Sequence, residues 1–153
     1  MELTFSVSGR IAKPVAEVFE AVVNPDRLSQ YFATGGARGR LEPGATVYWD
    51  FHDFPGEFPV EVVEVENNRR IVFKWAAADS AGPESAGYDT IVTMTFEPLE
   101  DGRTLVSISE SGWRETPEGL KACLGNSQGW TQMLCSLKVW IEHGIRLRMD
   151  MYK

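Results

Sequence analysis

Glu110 is the side chain whose position in the pattern could do most chemistry. It alternates in phase with Val106 and Ile108, so it points to the apolar side of a strand, where a lone carboxylate is costly. Two outcomes are open. Either the strand end splays near Ser109 and Ser111 and the carboxylate reaches solvent, or it stays inside and must find donors or give up its charge. An inward carboxylate can act as a general base or anchor a ligand. Tyr88 and Thr90 share the inward phase of the preceding strand, and Glu110 with Tyr88 forms the candidate catalytic pair.

Other chemistries find less support. His52 lies on the Tyr48 and Asp50 face, opposite Trp49, and reads as surface; His143 falls on the solvent side of a helix. Asp53 points away from Asp50 and His52, so no metal set forms, and no metal or cofactor is expected. Cys123 and Cys135 make no CxxC or Cys/His cluster, which implies reduced thiols and a cytoplasmic location. Gly35-Gly36 is a turn signal and does not lead a strand into a phosphate-binding helix. A net charge of −7 opposes binding to nucleic acid, and no apolar run is long enough to span a membrane or serve as a leader.

These residues need elements to hold them. Residues 3–11 alternate, with Leu3, Phe5, Val7, Gly9 and Ile11 on one face. Pro14 opens a helix that buries Val15, Val18, Phe19 and Val22 and ends at Asn24-Pro25; a short second helix is expected over 26–32. An edge strand near 38–41 precedes a strand from Ala45, in which Val47, Trp49 and Phe51 face inward. Phe54-Pro55-Gly56-Glu57 reads as a turn before a return strand over 59–65, bulged near Val62-Val63. After Asn67-Asn68, a strand places Ile71, Phe73 and Trp75 inward. Residues 76–87, rich in Ala, Ser and Gly, read as a long mobile loop. The next strand carries Tyr88, Thr90, Val92, Met94 and Phe96 on one face, and Asp101-Gly102 turns it into the Glu110 strand.

The final helix places Trp130, Met133, Leu134, Leu137, Trp140, Ile141, Gly144 and Ile145 on one stripe. Asn126 or Ser127 is its expected cap, with Gly129 in the first turn, permitting close backbone approach, and Gly144 either ending the helix or letting it approach the sheet. Leu147 and Met151 could extend the stripe; Cys135 and Val139 face outward. One domain over 1–153 is expected, α+β, with an antiparallel sheet of six to seven strands covered by this helix.

The stretches "PVAEVFEAVVNPDRLSQYF", "RRIVFKW" at 69–75, "SESGW" at 109–113 and "GWTQMLCSLKVWIEHG" at 129–144 carry a resemblance. The chain is similar to the family named for the C-terminal domain of the activator of heat-shock protein 90 ATPase, within the START-like superfamily of lipid-transfer domains, the birch-pollen allergen and polyketide cyclases. That resemblance implies a helix-grip fold, two short helices after the first strand, and a cavity between sheet and last helix. Its lining would be Trp49, Phe51, Phe73, Trp75, Tyr88 and Thr90, continued by Val92, Met94, Ile108 and Glu110, and roofed by Trp130, Met133 and Leu137. The alternative is that these apolar side chains make a solid core. The expected function is binding of a small apolar or aromatic molecule. The two alternatives are a stress-response co-chaperone module, with heat-shock protein 90 as partner, and a cyclase- or hydrolase-like enzyme using Glu110. The chain would be a monomer or homodimer.

Overall fold

The computed structural model describes residues 1–80 and 87–153. The first strand, β1 (Thr4–Ile11), turns Phe5, Val7, Gly9 and Ile11 inward. Helices α1 (Val15–Val23) and α2 (Pro25–Leu28) follow, divided at Asn24, whose side chain accepts from the Asp26 amide and caps α2. Helix α2 is shorter than 26–32 because the chain leaves the helix at Ser29, and Tyr31 folds back to donate its buried hydroxyl to the Ala21 carbonyl.

Six more strands complete the sheet: β2 (Gly36–Arg38), β3 (Thr46–Phe51), β4 (Phe54–Glu66), β5 (Arg70–Ala76), β6 (Asp89–Pro98) and β7 (Thr104–Ser111). Their order is β1-β7-β6-β5-β4-β3-β2, antiparallel throughout. The edge strand β2 lies a little earlier than 38–41. The register shifts between Val62 and Glu64, leaving Val63 exposed. The expected 54–57 turn is instead the start of β4. Phe51 pairs with Phe54, so the reversal is His52-Asp53, and the Gly56 amide donates to the Asp50 carboxylate, which supports the strand past two prolines. Of the loop expected over 76–87, residues 78–80 form a 3-10 turn and residues 81–86 lie outside the described residues.

Helix α3 (Pro117–His143) begins nine residues before Asn126. Thr116 accepts from the Gly119 amide and Pro117 occupies the first turn, a start made of capping chemistry, with no apolar stripe to announce it. Asn126 therefore sits within the helix, and Gly129 is mid-helix, where an added Cβ would meet nothing within 4 Å. No close backbone approach depends on it. Gly144 caps the helix in the left-handed conformation, φ 70°, and the chain then leaves the stripe, so Leu147 and Met151 are exposed.

The core lies between the concave face of the sheet and α3. Trp49, Phe73, Val92, Met94, Phe96 and Ile108 meet Met133, Leu134 and Leu137, with Phe19 edge-on to Phe96 at 5.1 Å. The packing opens beside residues 125–132 of α3 and again between β1 and residues 131–138.

Candidate functional site

The sheet register brings Glu110 to its partners. Trp75 lies directly opposite Thr90 across β5 and β6, and Glu110 opposite Val92 across β6 and β7. Thr90 and Glu110 are therefore diagonal neighbours on the concave face. Above them, Asn126 and Trp130 stand one turn apart on α3 and point down.

Glu110 is inward, 1% exposed, and ringed by donors. Its Oε2 accepts from Trp75 Nε1 at 2.9 Å, Thr90 Oγ1 at 2.6 Å and Asn126 Nδ2 at 3.1 Å. Its Oε1 accepts from Trp130 Nε1 at 2.9 Å and from the same Asn126 amide at 3.1 Å. Indole N–H and amide NH₂ groups can only donate, so this set matches a carboxylate with both oxygens accepting. No cation of the described residues forms an ion pair with it.

Two of those donors, Trp75 and Trp130, wall a cleft of 360 Å³ together with Phe32, Phe51, Phe54, Asn126, Gly129, Arg148 and Tyr152. That volume lies near the lower end of the roughly 300–1,000 Å³ usual for small-molecule sites. Phe32 stacks on Trp130 at 5.3 Å and meets Phe51 edge-on at 5.1 Å, while Trp75 and Trp130 are 5.4 Å apart. Gly125, Gln128 and Gln132 form the helix rim. A second hollow of 210 Å³ opens on the other side of Trp75 and Asn126, against Phe58 and Pro59.

The cleft's far wall comes from the chain's end. Arg148 donates from Nε and Nη2 to the two oxygens of Asp53, both at 3.0 Å, and Asp53 is buried. The guanidinium stands 4.6 Å from the Phe51 ring centre and 5.3 Å from that of Tyr152. Lys153 sits over Phe54 at 4.9 Å.

Of the residues expected to line a cavity, Phe51, Trp75 and Trp130 border the cleft, and Thr90 and Glu110 lie behind it. Trp49, Phe73, Val92, Met94, Ile108, Met133 and Leu137 are packed in the core. Tyr88 stands apart beside Trp113 and Cys123. Its hydroxyl donates to Asp79 and accepts from the Arg114 amide at 3.2 Å, and burial, then the Asp79 carboxylate, raises its pKa. Tyr88 and Glu110 thus belong to separate hydrogen-bond sets. His52, half-buried, shares a hydrogen bond with Thr34 Oγ1, and among the described residues no group of three metal-ligating side chains assembles.

Sequence reasoning passed over Phe32, Asn126, Asp53, Arg148 and Tyr152. Asn126 carried a signal, since it precedes Trp130 by one turn. The Asp53 to Arg148 pair spans 95 positions and carried none.

A curved seven-stranded antiparallel sheet gripping a long helix, with an aromatic cleft beside that helix, is a helix-grip domain, a fold class that in general supports ligand binding. The family described as Activator of Hsp90 ATPase homolog 1-like protein matches residues 12–142, and the chain belongs to it. No curated protein matches the sequence. Among solved structures, a Staphylococcus saprophyticus protein is 28% identical, covering 97% of this chain and 96% of its own, with a TM-score of 0.74. DynU16, a protein of the dynemicin biosynthetic locus, is 26% identical over 94% of this chain and 49% of its own, TM-score 0.76. The Aha1 dimer from Colwellia psychrerythraea shares the fold at 23% identity, over 92% of this chain and 97% of its own, TM-score 0.72. No helix among the described residues is long and apolar enough to cross a membrane.

Proposed function

We propose that the chain, acting as one domain, binds a small apolar or aromatic molecule in the cleft between the β3–β5 end of the sheet and the N-terminal half of α3. The observation that carries this reading is a 360 Å³ cleft whose two tryptophan walls are fixed in place by hydrogen bonds to one buried carboxylate. Walls already ordered lose little freedom when a ligand arrives, so contact area converts more fully to affinity. Glu110 serves this function as a positioning residue; with donors on both oxygens and no exposure, it is not placed to take a proton from a bound molecule.

The test pairs the protein with Gly129→Trp. A Cβ added at 129 meets nothing within 4 Å and Gly129 borders the cleft, so an indole carried there is directed at the binding volume and away from the core. Native mass spectrometry and thermal melts are run against a panel of bicyclic and tricyclic aromatics. A ligand at one hundred times its Kd adds about 2.7 kcal/mol, or roughly 5–10 °C in a domain of this size. The parent should shift and the Gly129→Trp protein should not. Equal shifts in both place the ligand elsewhere, and no shift in either refutes the reading.

A further inference from the structure

We infer that the molecule this cleft selects is a flat organic cation, a quaternary or protonated nitrogen carried on an aromatic ring. The inference rests on the cleft being a ligand site and adds the charge of the ligand.

The argument begins with which parts of the rings face the cleft. Trp75 and Trp130 turn their N–H edges toward Glu110 behind the wall, at 2.9 Å each. The edge is the positive part of an indole and the face the negative part. Trp130 is buried with Phe32 stacked on it at 5.3 Å, so it is half-buried Trp75 whose electron-rich face is left for the cleft. Donation of both N–H groups to an anion pushes further electron density into those rings. A cation over a tryptophan face is attracted by the ring quadrupole, most strongly where water is excluded.

The chain already uses neighbouring rings in this way. Arg148 stands over Phe51 and Tyr152, and Lys153 over Phe54, so three ring faces of the cleft hold cations of the protein itself. Among the described residues, no cation stands over Trp75 or Trp130.

The charges agree with the rings. Arg148 is balanced by Asp53 through two hydrogen bonds. Glu110 has four donor residues and no cation of the described residues paired with it, so around Trp75 and Trp130 one negative charge remains uncompensated. Asn126 adds an acceptor. Its NH₂ is committed to Glu110, which fixes the amide so that Oδ1, with no partner among the described residues, is free for an N–H of the ligand. The net charge of −7 favours approach of a cation over an anion.

The test uses three bicyclic probes of one size: 1-methylquinolinium, its neutral carbon counterpart 1-methylnaphthalene, and the anion 1-naphthoate. Isothermal titration calorimetry is run on the parent and on Glu110→Gln, with circular dichroism to show that the variant is folded. The cation should bind the parent about tenfold more tightly than the neutral probe, which corresponds to ~1.4 kcal/mol, and more tightly still than the anion. In Glu110→Gln the ratio of cation to neutral-probe affinity should shrink toward unity, whatever loss the two probes share from loosened tryptophan walls. The parent's charge series decides the matter even where the variant fails to fold. Equal binding of cation and neutral probe overturns the inference and leaves the cleft as a ligand site. Preference for naphthoate overturns it too and makes Arg148 the selecting group. Binding of none of the three removes the site itself.

Discussion

Thr90→Val is the sharpest perturbation of the site, because the two side chains have nearly the same shape and differ by one hydroxyl. At an ordinary buried strand position the change is close to neutral or favourable, since a methyl replaces a hydroxyl that had to be desolvated and valine suits a strand. Here the hydroxyl donates at 2.6 Å to a buried carboxylate. Hydrogen bonds to charged groups contribute about 1.5–3 kcal/mol, and burial of the new methyl returns at most ~0.8 kcal/mol. The expected net loss is therefore about 1–2 kcal/mol, a fall in Tm of roughly 2–8 °C for a domain of this length. Urea unfolding reads it directly as a lower midpoint with an unchanged slope. Repeating the substitution in a Glu110→Gln background should shrink the cost, since the bond is then to a neutral amide. A Thr90→Val protein as stable as the parent, or more so, would refute the buried carboxylate and return Glu110 to solvent.

Gly129→Ala should stabilise the fold by about 0.8–1 kcal/mol, because the residue is mid-helix and an added methyl meets no atom within 4 Å; thermal melts check it. Arg148→Met leaves Asp53 buried without its partner and should cost about 3–5 kcal/mol by urea unfolding, while the double variant with Asp53→Asn should cost less than the sum of the two singles. The Arg40 guanidinium beside Glu20 lowers that carboxyl from 4.5 to about 2. Its folded value lies below its unfolded one, so the stabilisation is present above pH 4.5 and disappears as the pH falls toward 2. Arg40→Gln should lower stability above pH 4.5 and converge with the parent as the pH falls toward 2, flattening the dependence of stability on pH within that window; urea unfolding across that range checks it.

What could be read from sequence was what depends on local periodicity. Strands β1, β3, β5, β6 and β7 all declare a dry face by alternation, and Glu110 was legible as inward because Val106 and Ile108 set its phase. The start of α3 was not. Leu120 and Leu124 are exposed, so its first turns bury too little to show a stripe, and only the Thr116-Pro117 cap marks the true beginning. The 52–53 reversal escaped for a related reason: Pro55 and Gly56 look like a turn, yet Asp53, buried against Arg148, fixes the bend earlier. Tyr88 shares a phase with Thr90 but precedes the first residue of β6, where the chain bends off toward Asp79. The cleft itself depends on the chain's end meeting β3 and β4, a long-range pairing that no window of sequence contains.

The indoles of Trp49, Trp75 and Trp130 form a chain of close neighbours, with ring centres 6.0 Å and then 5.4 Å apart. At such spacing their electronic transitions mix, and the mixed bands are sensitive to ring angle and local polarity. Two of the three border the cleft and have their N–H groups tied to a common anion. The domain thus carries a built-in chromophore at the place where a ligand would lie, and the light it absorbs and emits reports on that place without any added label.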